Sequence, residues 1–230
     1  QVDLGFGSFD TYEVSGVVNI PVNEQLAFRT VVNTETSNGA VDNRHPVGGN
    51  SGRDLTAVRT KLRWQPTDVD TLDIGVAQIQ EDQGYTGQVA TCIDGTFGFD
   101  PLAPGILGGI SCYTDDPDVD ETFQNTKSLS ENDTTILTVN YVHDWDDFSL
   151  TAILGQIESD FDQVFDLDHS GLDSVDRLNN YTVTSRSQEV RLASTGDNTF
   201  DWTVGALAYK DELTANNAIL IKDFLGPWLR

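Results

Sequence analysis

At 230 residues, with 37 acidic side chains against 13 basic ones, the chain carries a formal net charge of −24. That balance excludes the basic footprint a nucleic-acid partner needs. No run of ~18 apolar residues occurs, which excludes a transmembrane helix. A hydrophobic content of 38% suits either a soluble β protein or a barrel with a polar interior. Opening at Gln1 and holding no Met, the chain reads as a processed or truncated piece.

Taken in chain order, the elements are period-2 segments, the pattern of strands. A short first strand, 2–8, leads into 11–20. In 26–35, Leu26, Phe28, Thr30 and Val32 share one face, with Arg29 and Asn33 on the other. Segment 55–65 sets Val58, Thr60, Leu62 and Trp64 against Arg59, Lys61 and Arg63. Three cations along one strand face need water or carboxylates beside them. In 71–82, Leu72, Ile74 and Val76 oppose Asp73, Gly75 and Ala77. Segment 132–143 groups Leu137, Val139 and Tyr141, and 148–160 groups Phe148, Leu150, Ala152 and Leu154. Segment 186–195 sets Val190 and Leu192 against Glu189 and Arg191, and 200–212 aligns Trp202, Val204, Ala206 and Ala208.

Between these segments, connection lengths alternate. Tight turns at 21–25, 66–70, 144–147 and 196–199 are separated by long loops near 37–54, 83–131 and 161–184. Short connections at one end and long ones at the other define an all-β, antiparallel up-and-down barrel wall. A strand of ~10 residues, tilted ~45°, covers about 23 Å, close to the ~25 Å apolar band of such barrels. Trp64, Tyr141, Trp145, Phe148, Phe200 and Trp202 stand beside the tight turns, as an interfacial aromatic girdle does. The expected fold is a transmembrane β-barrel segment of about nine strands. In it Arg29, Arg59, Lys61, Arg63, Glu189 and Arg191 face the lumen, and a register slip of one residue reverses that assignment.

The long loops carry the recognition chemistry expected of loops on a rigid scaffold. Asp115, Asp116, Asp118 and Asp120, together with Asp166, Asp168 and Asp173, are the candidate ligand contacts, on a surface whose field attracts cations or metal chelates. The same acids also fit a plain solvated surface. Asp166, Asp168 and Ser170, with Gly171 following, have the spacing of the start of a calcium loop, so Ca²⁺ there is an expectation. Arg177 stands where a bidentate Glu is required, and an ordinary acidic turn is the other reading. Cys92 and Cys112 are the only cysteines. Both lie in one Gly- and Asp-rich loop, favouring a disulfide over two free thiols and implying an oxidising compartment. His45, His143 and His169 are scattered and no Cys-x-x-Cys occurs, so zinc has no ligand set. No nucleophile elbow, phosphate loop or dinucleotide fingerprint is present, and the chain is read as a non-enzyme.

Several stretches resemble TonB-dependent outer-membrane receptors. Gly7-Ser8-Phe9-Asp10-Thr11-Tyr12-Glu13-Val14-Ser15-Gly16-Val17-Val18-Asn19-Ile20-Pro21 resembles their first barrel hairpin. Leu62-Arg63-Trp64-Gln65-Pro66-Thr67 resembles a recurrent strand-to-turn pattern, and Asp166 to Ser170 a segment after the fourth periplasmic turn. Ser187-Gln188-Glu189-Val190-Arg191-Leu192-Ala193-Ser194 and Phe200-Asp201-Trp202-Thr203-Val204-Gly205-Ala206-Leu207-Ala208-Tyr209 resemble two successive later strands. The resemblance runs in family order over nearly the whole chain. It implies a 22-stranded barrel filled by a plug, taking up a ferric siderophore or similar metal chelate. It also implies a bacterial outer-membrane location among lipid and lipopolysaccharide, with energy from the TonB complex contacting the plug and no resident cofactor. No plug-like segment is seen and the strands are too few to close, so residues 1–230 are read as part of the barrel domain. A secreted or cell-surface β-sandwich adhesin, calcium-stabilised on its Asp-rich loops, is the alternative. A glycan-processing β enzyme is a third reading.

Overall fold

Alternation of side chains with period 2 leaves each segment one apolar and one polar face, so the segments pair side by side. In a computed structural model, residues 1–84, 92–93, 96–97, 121–122, 124–167, 173, 175–197 and 199–222 are described. The elements run β1 (Val2–Gly7), β2 (Thr11–Pro21), β3 (Leu26–Ser37), β4 (Asp42–Asn43), β5 (Arg53–Trp64), β6 (Asp70–Gly84), β7 (Cys92–Ile93), β8 (Thr96–Phe97), β9 (Glu121–Thr122), β10 (Leu129–Asp144), β11 (Phe148–Asp166), β12 (Val175–Ser194) and β13 (Thr203–Ile221). Nine of these form one antiparallel sheet in the order β1-β2-β3-β5-β6-β10-β11-β12-β13. Each strand thus pairs with its sequence neighbour in that sheet, and β1 and β13 remain as its two unpaired edges. Short pairs β4–β9 and β7–β8 sit apart from it.

Two expectations are corrected. The stretch 161–184 is not a long loop: β11 continues to Asp166 and β12 resumes at Val175. Polar cross-strand contacts carry the hairpin there, with Thr182 Oγ1 donating to Asp160 at 2.8 Å and Asn179 Nδ2 to Gln163 at 2.8 Å. Phe161 stacks on Tyr181 at 5.8 Å. The β-sandwich alternative fails as well, because nine strands form one layer in sequence order and, among the described residues, the only other sheets are two two-stranded pairs.

That single layer has almost no core. Among the described residues the only buried hydrophobic side chain is Ala77, while Val18, Val32, Val76, Leu137, Leu154 and Val190 are exposed. They share a face. Register places Val32 opposite Val58, Val76 opposite Leu137, Leu154 opposite Val139 and Val190 opposite Ala152. Inside this apolar face the paired Thr30 and Thr60 hydroxyls satisfy each other at 3.1 Å. Toward the long-loop end the apolar run stops at Tyr12, Val32, Val58, Val76, Leu137, Leu154 and Val190 in β2, β3, β5, β6, β10, β11 and β12. Followed through the register, that edge descends by ten residues over six strand-to-strand steps, about 1.7 per strand, which for ~3.3 Å rise and ~4.8 Å spacing is a slope of about 49°. Strands of membrane barrels tilt ~35–45°. Beyond the edge the same face turns acidic: Asp54, Asp82, Glu131 and Asp162 stand directly opposite one another across four strands. Like charges so placed repel and require water around them.

Candidate functional site: a basic strip and a loop clasp

On the other face of the sheet, strands β3 and β5 bring Arg29, Arg59, Lys61 and Arg63 together, with Arg29 directly opposite Lys61. The hub of this strip is Asp73 on β6, opposite Arg63. Its carboxylate accepts two hydrogen bonds from Arg63, Nε to Oδ1 and Nη2 to Oδ2, both 2.8 Å. Lys61 Nζ lies 3.1 Å from Oδ2. Arg29 donates to Asn19 Oδ1 at 3.2 Å. Arg59 has no ion pair among the described residues, so of four neighbouring cations one carboxylate pairs two, in a chain of net charge −24. Arg59, Lys61 and Asp73 border a shallow groove closed by Ile136, Thr138 and Asn140. Gly75 forms its floor, where an added Cβ would stand 2.6 Å from Thr138 Oγ1. Such a strip can hold anionic groups at a water-filled surface.

At the tight-turn end, Asp70 ties two turns together. It accepts from Tyr141 Oη at 2.6 Å and from Thr67 Oγ1 at 2.5 Å, and lies 2.6 Å from His143 Nδ1. The His143 ring meets Trp145 edge-on at 4.2 Å, and Trp145 stacks on Phe148 at 4.5 Å.

At the long-loop end, buried polar side chains clasp the loops. The Asn43 amide behaves like a peptide group toward Gln124: Nδ2 donates to Gln124 O at 2.8 Å and Oδ1 accepts from Gln124 N at 2.9 Å, across 81 positions of sequence. Nδ2 also donates to Gly48 O at 3.1 Å. Beside it Asp42–Asn43 pairs in parallel with Glu121–Thr122, and Arg44 Nη1 donates to Glu121 at 3.1 Å. Oδ1 accepts from His45 N as well, at 3.2 Å, so Asn43→Ala removes four hydrogen bonds from a largely buried site. The expected cost is about 2 kcal/mol of local stability, read as faster amide exchange at 43–50 and 121–125 with exchange at 137–141 unchanged.

The clasp extends to β11, β12 and the end of β13. Asp166 is fully buried; its Oδ2 accepts from Asn125 N at 3.2 Å, and its own N–H donates to Ser128 Oγ at 3.2 Å. Thr126 Oγ1 donates to Asp176 Oδ1 at 2.7 Å. Asn125 Nδ2 donates to Asp173 Oδ1 at 2.9 Å. Lys222 Nζ hydrogen-bonds Asp173 and lies 2.6 Å from Asp176 Oδ2. The hydrogen bond from Lys222 is the main cause holding the Asp173 carboxyl below the ordinary carboxylate range. The same bond, then that to Asp176, raises the Lys222 ammonium above the lysine range. The Asp173 contribution to stability is therefore complete above the unfolded carboxylate pKa and lost as pH falls through its lowered folded value. The Lys222 contribution is lost only in strong alkali. Protection of amides 173–176, corrected for intrinsic exchange, should stay level from neutral pH down to about pH 5 and fall below about pH 4. Lys222→Ala should lower the plateau and flatten the fall.

The structure places the sequence-predicted residues in separate regions. Arg29, Arg59, Lys61 and Arg63 form one strip, while Glu189 and Arg191 lie on the same face of β12, four strand spacings from β5, about 19 Å at ~4.8 Å each. Asp166 is inside the clasp rather than open to a ligand, and Asp173 is exposed and paired. Asp115, Asp116, Asp118, Asp120, Asp168, Ser170 and Cys112 lie outside the described residues, and of Cys92 only the backbone in β7 is described. The calcium and disulfide expectations fall outside them too. Among the described residues, no group of three or more His, Cys, Asp or Glu is arranged to hold a metal. Sequence reasoning missed the roles of Asp73, Asn43 and Lys222. For Asp73 a clue existed, an acid of the same strand parity as the cations beside it.

A coreless single layer with one apolar band, one basic strip and long loops at one end is a strip of the wall of a large up-and-down β-barrel. No protein-family model and no curated protein matches the chain in sequence. Among solved structures it is similar to the ferric yersiniabactin uptake receptor FyuA from Yersinia pestis, at TM-score 0.74 and 15% identity over 96% of this chain and 32% of that one. It is also similar to the ferripyoverdine receptor of the outer membrane of Pseudomonas aeruginosa, at TM-score 0.64 and 18% identity over 94% and 28%. The siderophore receptor PiuA from Acinetobacter baumannii follows at TM-score 0.62 and 14% identity, over 92% and 30%. At these identities the likeness is one of fold, and the chain spans about a third of the length of the receptors it matches.

Proposed function

We propose that residues 1–230 are part of the wall of a TonB-dependent outer-membrane receptor barrel that takes up a scarce nutrient, most specifically a ferric siderophore or similar metal chelate. One observation carries the membrane part of this reading. The exposed apolar band has no core to enter, and its edge slopes close to the angle strands adopt in a bilayer. The band faces lipid and lipopolysaccharide. The face holding Arg29, Arg59, Lys61, Arg63, Glu189 and Arg191 faces the lumen, where an energy-coupled plug and water occupy the space beside the basic strip. The long-loop end is outside the cell, and the clasped loops hold the ligand site. The chelate assignment is supported by what the similar structures are named for. The protein acts as a receptor and transporter, not an enzyme.

The test joins localisation to uptake. The protein should fractionate with the outer membrane, need detergent for extraction, and shift in gel mobility on heating. A strain lacking it should lose growth on at least one of a panel of ferric hydroxamate, catecholate and phenolate chelates. Recovery in the soluble fraction would defeat the membrane reading. Outer-membrane recovery with growth unchanged on every chelate would defeat the chelate assignment alone.

A further inference from the structure

The first hairpin ends unlike its neighbours. Each other connection at the long-loop end follows strands that run past the apolar edge, to 15 residues in β6 and 19 or 20 in β11 and β12. β1 and β2 have 6 and 11 residues and stop at the edge itself. There Phe6 and Tyr12 are directly paired on the apolar face, rings edge-on at 5.8 Å, and they are 77% and 51% exposed. The turn between them is backbone-strained. Phe9 and Asp10 both take left-handed φ, 60° and 52°, where a hairpin normally places Asn-Gly. Phe9 is 57% exposed despite that.

The strained turn is held from outside. Asn38 donates N–H to Phe9 O and Nδ2 to Asp10 Oδ2, both 2.9 Å, and Thr11 Oγ1 donates to Ser8 O at 2.7 Å. A non-glycine residue kept left-handed by several contacts, with its aromatic ring in the open, points to a role for the ring rather than for the turn. Aromatic rings favour the boundary between headgroups and hydrocarbon. The tip stands at the height where the apolar band ends and is continuous with that band through Leu4 and Val14, also exposed.

We propose that the hairpin tip formed by Phe6, Phe9 and Tyr12 is a lipid-binding anchor seated in the headgroup–acyl boundary of the outer leaflet. The proposal rests on the barrel-wall reading. Its occupant is lipid, since the Phe6 and Tyr12 rings belong to the band's face rather than the basic strip, and Phe9 stands exposed at the turn between them. In this role Asn38 is a positioning residue: it holds the left-handed turn that presents Phe9 at the interface.

The experiment introduces Trp at Phe9 in one variant and at Val58, within the band, in another. Each is inserted in vesicles containing phosphatidylcholine brominated near the headgroup end of the acyl chain, and emission is read as the difference from the parent protein. Phe9→Trp should emit to the blue of free Trp in water and be quenched about half as strongly as Val58→Trp or more. Asn38→Ala in the Phe9→Trp background should reduce that quenching. Val58→Trp quenched and Phe9→Trp unquenched, whether water-exposed or covered by another protein copy, overturns the anchor and leaves the barrel wall standing. Neither residue quenched overturns the barrel wall itself.

Discussion

Val139→Arg should destabilise the membrane-inserted protein by about 2–4 kcal/mol, the cost of a cation at the lipid-facing midplane of a barrel. Val139 sits on the apolar face between Ile74 and Leu154, away from both edges of the band. The nearest carboxylates on its face, Asp70 toward the tight turns and Glu158 toward the loops, each stand four residues along a neighbouring strand, about 13 Å away at ~3.3 Å per residue and farther than its side chain reaches. Asn140→Arg is the control one residue along the same strand. Its side chain points to the other face, where Asp73 is directly opposite, so the new guanidinium meets a carboxylate and water. Denaturant unfolding from vesicles should show a large loss for the first variant and a small change for the second. Equal losses would mean that the two faces see the same solvent.

Asp73→Ala should be the most damaging change on the basic strip, costing about 2 kcal/mol. The Asp73 side chain is 10% exposed and holds Arg63 and Lys61, which are 51% and 48% exposed. Water screening of those partners keeps the cost below that of a dry ion pair. The substitution leaves Arg29, Arg59, Lys61 and Arg63 without a carboxylate among them, so part of the loss is mutual repulsion. That part should shrink as salt is raised from ~10 mM to ~150 mM. Removing a cation as well, in Asp73→Ala with Lys61→Met, should restore part of the stability. A double variant no more stable than Asp73→Ala would show that repulsion is not part of the cost.

The parity of the strands was legible because lipid imposes it. Val58 against Arg59, Ile74 against Asp73 and Val190 against Glu189 alternate in the chain as they do in the sheet, since one face must be apolar to meet hydrocarbon. Where the strands rise beyond the band, both faces meet water and the alternation ends. For that reason 161–166 and 175–184 read as loop yet form the outer part of a hairpin, held by Asp160, Thr182, Gln163 and Asn179. The clasp was illegible for another reason. Asn43 and Gln124 are ordinary polar loop residues whose meaning lies in a pairing 81 positions apart, and no local pattern announces such a contact. Asp166 shows the same limit. Its side chain and backbone are turned inward against Asn125 and Ser128, contacts that its spacing in the sequence does not announce. The left-handed Phe9 likewise breaks the sequence rule for hairpin turns, and the contacts that hold it come from Asn38 in another loop.

Solvent accessibility along β10 tests the barrel wall most directly. Spin labels are placed one at a time at positions 135 to 141 of the protein in vesicles, and relaxation by oxygen, which partitions into lipid, is compared with relaxation by a water-soluble nickel chelate. Strict alternation is expected: oxygen dominates at 137, 139 and 141, nickel dominates at 136, 138 and 140, and nickel takes over at 135, beyond the edge of the band. Nickel reaching 137, 139 and 141 as readily as their neighbours would contradict it.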